Sequence, residues 1–265
     1  MKKFELTAES KINIFGKKLF RIKALISFGD VEEGETGGWI EKEENLEQSS
    51  GDAWVYGDAE VSGDAEVSGD ARVYGNARVS GDAEVSGNAG VYGNAEVYGN
   101  ARVSGDARVY GNAEVYGNAR VYGNARVSGD AWVYGDAGVS GDAWVSGDAR
   151  VSGNAEVYGN AMVSGNAWVY GDAEVYGNAR VSGNAEVYGN ADYTTIHGFG
   201  TQFRTTTFFQ CEDKQIRVSC GCFLGTIPEF REQVKNTREG KIAEEYLMIA
   251  DLMEKHFVKE KESGE

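Results

Sequence analysis

A valine stands at every sixth position from Val55 to Val187, which makes 23 valines in succession without an insertion. Each unit reads Val, Ser or Tyr, Gly, Asp or Asn, Ala and one variable residue. A helix would spread this period around its circumference, and one long strand would be broken by its repeated Gly residues. The pattern therefore predicts short strands separated by tight corners, which together build a solenoid.

Each position of the six-residue unit has a predicted role. Valine points inward, and the residues on either side of it point outward, because side chains alternate along a strand. Gly followed by Asp or Asn forms the corner, where a positive φ is easy for Gly and tolerated by Asn and Asp. Alanine is small enough for the crowded inside of the corner. We expect each strand to pair with its equivalent one coil away, at a spacing of about 4.8 Å.

These units resemble the hexapeptide repeat of left-handed parallel β-helices, in which three units make a triangular coil of about 18 residues. The resemblance implies a left-handed triangular β-helix of about seven and a half coils. Handedness follows from the resemblance alone. A coil of two units is the alternative geometry.

Three regions are predicted: an N-terminal β-hairpin cap with a degenerate first coil over 1–51, the solenoid over 52–191, and a small α+β module over 192–265. The fold class is thus all-β apart from that module. Caps are expected because open solenoid ends would pair with other chains. The N-terminal hairpin is predicted over 11–28 with its turn near Gly16, and Ile40 and Leu46 are again six residues apart.

The C-terminal module is predicted to contain one hairpin and two helices. Alternating residues over 203–209 and 215–219 indicate strands that turn at Asp213 and Lys214. Thr226 and Glu229 have capping-box spacing, which predicts a helix over about 227–237. A second helix over about 241–258 places one apolar stripe on a single side. The residues of this stripe are Ile242, Tyr246, Ile249 and Met253.

Two short segments outside the repeats resemble phage and prophage proteins. FGDV at 28–31 and GGWI at 37–40 are similar to the N-terminal segment of uncharacterised bacterial and prophage hexapeptide-repeat proteins, some of which are named as acyltransferases. TTTFF at 205–209, SCGCF at 219–223 and GTIPEF at 225–230 resemble a C-terminal module found in phage and prophage repeat proteins. This resemblance implies a viral origin and says nothing about chemistry.

Charge and composition narrow the classes of function. The net charge of −16 argues against direct nucleic-acid binding, which requires clustered Lys and Arg. The N-terminus lacks the apolar segment of a signal peptide, and no apolar run is long enough to span a membrane. Three cysteines, all within 211–222, fit a reducing compartment. We expect no membrane association and a location in the cytoplasm, that of the host if the protein is phage-encoded, or in a virion.

Enzymatic and metal chemistry find little support in the sequence. The acyltransferases that share this repeat use a histidine base and a loop between coils, whereas the only histidines here are His197 and His256, outside the repeats. Cys211, Cys220 and Cys222 with His197 lack the usual spacing of a zinc site. The corner Asp and Asn residues lack the calcium-binding nonapeptide, so hydrogen-bond ladders explain them better. No catalytic residue, metal or cofactor is predicted, and a small-molecule ligand is not expected.

Function is predicted to lie in the outward positions, which the fold leaves free to vary. With 18 residues per coil, a first column contains Tyr56, Tyr74, Tyr92 and Tyr110 and continues as Ser128, Ser146, Ser164 and Ser182. A second column contains Tyr98, Tyr116, Tyr134, Ser152, Tyr170 and Tyr188, beside Trp132 and Trp168 with Arg150 between them. Stacking support, a protein interface and a ligand surface are three open interpretations. Arg and Glu each occupy eight variable positions, which predicts surface ion pairs.

The sequence therefore favours a non-enzymatic phage or prophage repeat protein that acts as a rigid structural or interaction scaffold. Its expected partner is another protein or a further copy of itself, and the family resemblance implies a trimer. One alternative is a phage effector, of an anti-defence or an acidic DNA-mimic type, that binds and blocks a host factor. The other alternative, an acyltransferase, is disfavoured by the absence of histidines and loops in the coils.

Overall fold

The computed structural model describes residues 2–257 of the 265-residue chain. Strands β1 (Phe4–Ile12), β2 (Lys18–Ala24) and β3 (Thr36–Ile40) and a short 3-10 helix (Glu43–Asn45) precede the solenoid. The solenoid strands β4 to β26 follow at six-residue intervals. They are Trp54–Val55, Glu60–Val61, Glu66–Val67, Arg72–Val73, Arg78–Val79, Glu84–Val85, Gly90–Val91, Glu96–Val97, Arg102–Val103, Arg108–Val109, Glu114–Val115, Arg120–Val121, Arg126–Val127, Trp132–Val133, Gly138–Val139, Trp144–Val145, Arg150–Val151, Glu156–Val157, Met162–Val163, Trp168–Val169, Glu174–Val175, Arg180–Val181 and Glu186–Val187.

Strands three apart pair in parallel and in register. Gly90 lies opposite Arg108 and Val91 opposite Val109, so one coil contains three strands and 18 residues. This excludes the alternative of two units per coil. We call the three resulting sheets the first face (β4 and every third strand to β25), the second face (β5 to β26) and the third face (β6 to β24).

The valines and alanines of the units form one continuous core. From Ala53 to Val187 these side chains are at most 1% exposed. Backbone hydrogen bonds join each coil to the next, as from the Tyr92 amide to the Val109 carbonyl at 3.0 Å. At the corners Gly has a positive φ, for example 76° at Gly111. The predicted role of each position is confirmed.

Corner asparagines form hydrogen-bond ladders along the rod, and these ladders have a direction. The Nδ2 of Asn76 donates to Asn94 at 3.1 Å, Asn94 donates to Asn112 at 3.0 Å, and Asn112 donates to Asp130 at 2.8 Å. The ladder ends at the aspartate because a carboxylate has no hydrogen to donate. Each bond runs from an Asn to the corner residue one coil later, which agrees with the interpretation of these residues as structural.

The N-terminal strands close the first coil. Strands β1 and β2 form an antiparallel hairpin, and the turn near Gly16 is as predicted. The first strand begins at Phe4, earlier than the predicted start at residue 11. Strand β3 is parallel to β5 with Ile40 beside Val61, and Leu46 bridges to Val67, so both residues pair with solenoid valines.

One variable residue, Trp54, is buried completely although it points away from the coil core. The cap covers its ring, with the Phe28 and Phe4 rings in edge contact at centroid distances of 5.5 and 6.1 Å. A Cβ at Gly37 would lie 2.6 Å from this indole ring. The glycine therefore allows the cap to close over the tryptophan.

The C-terminal module is an antiparallel sheet with two helices. Strands β27 (Tyr193–Phe199), β28 (Arg204–Gln210), β29 (Ile216–Cys220) and β30 (Phe223–Thr226) lie in chain order. The predicted hairpin corresponds to β28 and β29, whereas β27 and β30 were not predicted. A second core, separate from that of the solenoid, includes Phe208, Val218 and Phe230.

The two helices are α1 (Ile227–Thr237) and α2 (Gly240–His256). The capping box is present, because Thr226 Oγ1 accepts from the Glu229 amide at 3.3 Å and Glu229 accepts from the Thr226 amide at 2.7 Å. The prediction extended the second helix to residue 258, which lies outside the described residues. Among the helical segments of the described chain, none combines the length and the apolar run that crossing a membrane requires.

Candidate functional site: the outward columns of the solenoid

The first tyrosine column lies on the first face. The rings of Tyr74, Tyr92 and Tyr110 stack at centroid distances of 4.8 and 4.9 Å, with interplanar angles of 5° and 4°. These distances follow from the spacing of the coils, since identical residues in register repeat at that spacing. Tyr56 was predicted to belong to the same column, but it packs against the core near the cap. The stack thus contains three rings.

The second column lies on the second face and contains another stack of three rings. Tyr98, Tyr116 and Tyr134 repeat at 4.9 and 5.0 Å. The Tyr98 hydroxyl donates to Glu114 Oε2 at 2.8 Å. Burial raises the pKa of Tyr98, and the hydrogen bond to the carboxylate raises it further. Tyr98 is therefore held as a neutral donor.

The tryptophans of the second face lie beside this column, as predicted. The guanidinium of Arg150 lies 4.7 Å from the centroid of the Trp132 ring, which is a cation–π geometry. The Trp168 ring lies 4.8 Å from that of Tyr170, and its Nε1 donates to Ser152 Oγ at 3.3 Å. Neighbouring side chains of the same face thus hold both indoles.

The structure also has outward aromatic residues that the sequence analysis left out. On the third face, Tyr158 and Tyr176 stack at 5.4 Å, whereas Tyr122 stands between Ser104 and Ser140 and is 48% exposed. Trp144 on the first face donates to Ser128 Oγ at 3.0 Å. The same 18-residue interval would have revealed all of them in the sequence.

Charged variable residues are sorted by face. The first face has Arg at four variable positions and Glu at none, while the second and third faces each combine four Glu with two Arg. The arginines of the first face are Arg72, Arg108, Arg126 and Arg180. The glutamates of the third face are Glu66, Glu84, Glu156 and Glu174. An acidic protein therefore presents one face with basic variable residues.

The predicted surface ion pairs between variable positions occur on the second and third faces. Among the described residues, variable positions pair with each other only between Arg78 and Glu96 at 2.7 Å and between Arg102 and Glu84 at 3.2 Å. Arg108 and Arg126 are neighbours on the first face, which offers them no glutamate. Burial raises the pKa of Tyr92, and these two guanidiniums oppose that rise. Arginines and tyrosines therefore form one mixed surface.

The histidine and cysteine residues do not converge on one site. His197 Nδ1 lies 3.3 Å from Thr205 Oγ1 at the module surface. Cys211 is buried, which raises the pKa of its thiol to about 11, and Cys220 Sγ accepts from Thr206 Oγ1 at 3.2 Å. Within residues 2–257, no three His, Cys, Asp or Glu side chains are grouped so that they could hold a metal ion.

The repeats are similar to those of a known family. The family model described as YdcK Beta solenoid repeat matches seven stretches of the solenoid, some of which overlap. These are residues 65–81, 71–87, 95–111, 113–129, 119–135, 155–171 and 173–189. No curated protein matches the chain. Together with the three-faced coils, the similarity shows that this chain is a β-solenoid repeat protein.

Proposed function

We propose that this protein is a rigid, non-catalytic scaffold of phage or prophage origin that acts through protein–protein contacts and associates with itself. One observation carries the proposal: from Trp54 to Val187 the coils continue without an inserted loop, while their outward residues are sorted into faces of different charge. An uninterrupted rod holds such surfaces at fixed positions, which is what a scaffold requires. The resemblance to phage and prophage proteins supports the viral origin.

The features of the coils support a function without catalysis. Acyltransfer on a solenoid of this kind needs a base that titrates near working pH and a pocket for the acceptor. The coils contain no histidine, and their outward surface consists of short strands and corners. We therefore expect calorimetric titration of the full chain with acetyl-CoA to give no binding heat. A saturable heat with 1:1 stoichiometry would overturn the non-catalytic assignment.

The first face supports an interface with an acidic surface. Arg108 and Arg126 lie beside the stacked rings of Tyr92 and Tyr110, and neither forms an ion pair with a described residue. Arginine and tyrosine are enriched in the cores of protein interfaces. A second copy offers glutamates on its third face, as at Glu84 and Glu156, and a head-to-tail contact between first and third faces generates a ring such as the proposed trimer when its rotation closes. The acidic duplex mimic is less favoured, because these arginines interrupt the negative surface.

Sedimentation velocity at several protein concentrations tests the self-association. We expect oligomers in low salt that dissociate in the double variant Arg108→Glu, Arg126→Glu and weaken as salt increases. The matched control is Arg78→Glu, Arg150→Glu, which makes the same change of charge on the second face, outside the proposed contact, and should not weaken association. A wild-type monomer at every concentration, or equal loss in both variants, would refute the proposed interface.

The viral assignment has its own test. Mass spectrometry of purified particles from a phage or induced prophage that encodes the protein should detect it if the scaffold is part of the virion. Detection only in the host cytoplasm would place the scaffold in the infected cell instead of the particle.

A further inference from the structure

The C-terminal module contains a pocket of about 240 Å³ between the sheet and the two helices. We call it the module pocket. It lies where the end of β27 and the following turn approach the last turn of α1 and the middle of α2. The residues that carry the argument are Phe199, Arg204, Phe223, Phe230, Arg238 and Tyr246.

One side of the module pocket is aromatic. Phe230 is 3% exposed, and its ring contacts those of Phe223 and Tyr246 at centroid distances of 5.6 and 5.8 Å. Phe199 adds a further ring, and its carbonyl accepts from the Tyr246 hydroxyl at 3.2 Å. The rings are thus fixed by packing and by a hydrogen bond. This wall suits a flat, apolar group.

The module pocket also contains basic residues. Arg204 and Arg238 both line it, and none of the described lining residues is Asp or Glu. Burial raises the pKa of Tyr246, and the positive charges of Arg238 and Arg204 oppose that rise. Two arginines thus line the module pocket of a chain with a net charge of −16, and no carboxylate among the described lining residues accompanies them.

Two glycines let the polar groups approach. Gly200 has a φ of 73°, and a Cβ there would lie 2.5 Å from the Tyr246 hydroxyl oxygen. Gly221 has a φ of 63°, and a Cβ there would clash with the guanidinium of Arg204. Both positions need a glycine for their backbone conformation and for the space that the side chains occupy. The arrangement of Arg204 and Tyr246 is therefore built into the chain.

We infer that the module pocket binds a small organic anion with an aromatic or similarly flat apolar body. The anionic group, a carboxylate or phosphate, accepts hydrogen bonds from Arg204 and Arg238, which are strong because both partners are charged. The apolar body lies against Phe199, Phe223 and Phe230. The small volume limits the ligand to about one ring and its anionic group, since pockets for drug-sized ligands begin at about 300 Å³.

Calorimetric titration of the full-length protein with phenyl phosphate tests this inference. We expect phenyl phosphate to bind saturably with 1:1 stoichiometry. The affinity should be at least about tenfold lower for neutral benzyl alcohol, which keeps the ring but lacks the charge, and for inorganic phosphate, which keeps the charge but lacks the ring. Arg204→Gln with Arg238→Gln should remove the preference for phenyl phosphate over benzyl alcohol. Both arginines are exposed, so circular dichroism melting should show these variants folded. Arg108→Gln on the solenoid is the matched control and should bind as the wild type does.

Thiol alkylation tests whether phenyl phosphate binds in the module pocket. Cys220 and Cys222 line the module pocket, whereas Cys211 is buried outside it. Phenyl phosphate should slow the reaction of Cys222 with iodoacetamide by several-fold, and benzyl alcohol should not. The inference is overturned if phenyl phosphate shows no binding, if it binds no better than benzyl alcohol or phosphate, or if the double variant binds it as well as the wild type.

Discussion

In the solenoid each valine is paired with a valine one coil away, as Val91 with Val109, whereas in the C-terminal module each buried aromatic residue contacts different partners. The two regions also have separate cores, although Tyr193, Phe209 and Cys211 of the module pack into the core of the solenoid. In the rod the same contact is repeated many times, so the loss of one unit affects mainly its neighbours. The module has few contacts of each kind, and one substitution can destabilise all of it. Repetition favours large, regular surfaces, while the module can build one asymmetric pocket.

The largest effect is expected from Phe230→Ala in the module. Phe230 is 3% exposed and contacts three aromatic rings, so its removal should cost about 3–5 kcal/mol. Hydrogen exchange should show lost protection in α1 and β28 with unchanged protection at Tyr92 in the rod. Leu252→Ala, a substitution on α2 at a side chain that is 58% exposed, is the control and should change little. Equal loss of protection in rod and module would mean that the two cores unfold together.

Within the rod, Gly111→Ala should have the next largest effect. Gly111 has a φ of 76°, and a Cβ there would lie 3.0 Å from the backbone nitrogen of Gly129. The left-handed conformation alone costs about 1–2 kcal/mol for alanine, and the backbone contact adds to this. We expect faster amide exchange in the coils that contain residues 111 and 129.

Gly90→Ala is the matched control for Gly111→Ala. A Cβ at Gly90 would meet only the Tyr92 ring, at an ordinary 3.7 Å. Urea unfolding should show Gly90→Ala to be as stable as the wild type or slightly more so. If the free energy of unfolding falls equally in Gly90→Ala and Gly111→Ala, the corner conformation is not the cause of the loss at Gly111.

A smaller effect is expected from Tyr116→Ser, and it separates two interpretations of the tyrosine columns. Tyr116 stacks on both Tyr98 and Tyr134, and each aromatic pair contributes about 0.5–1.5 kcal/mol beyond its buried area. Tyr122→Ser removes a tyrosine that stands between serines and should cost less. Thermal unfolding of both variants measures the difference. Equal stabilities would favour an interface role over structural stacking.

The smallest effect is expected from Asn94→Asp in a corner ladder. The change removes the donor to Asn112 and should cost about 0.5–1 kcal/mol at this exposed site. Asn184→Asp adds the same charge, but Asn184 only accepts in its ladder, from Asn166 at 3.1 Å. Urea midpoints should therefore fall for Asn94→Asp and stay near the wild type for Asn184→Asp. A similar decrease in both would point to charge repulsion as the cause.

The fold of the rod could be predicted because every six-residue unit has the same residue types at the same positions. Val, Gly and Ala each have one role, and the capping box of Thr226 and Glu229 is equally local. The arrangement of Tyr56 could not be predicted, because its packing depends on how the cap folds over the first coil. The sequence also implies that arginines without glutamates are on the first face. This distribution becomes visible only when each variable residue is assigned to a face by its 18-residue spacing.

The module pocket lay beyond sequence reasoning for a different reason. Arg204 begins β28, after the turn that follows β27, and Arg238 comes directly after α1. The two arginines are therefore far apart in the chain and belong to no common sequence motif. Their convergence depends on how the helices pack against the sheet. In the sequence, the cysteines of the module were the candidates for a site, as possible metal ligands. The residues that shape the pocket are instead arginines, phenylalanines and glycines.

The three strands of each coil also make the rod an angular spacer. Removal of three consecutive units would shorten it by one strand spacing, about 4.8 Å, and leave the cap and the module in the same orientation about the long axis. Removal of a single unit would turn the module by a third of a revolution relative to the cap. It would also interrupt each column at the deletion, because residues there would stack on those of a neighbouring face. The number of units therefore sets both the distance and the direction between the two ends of the molecule.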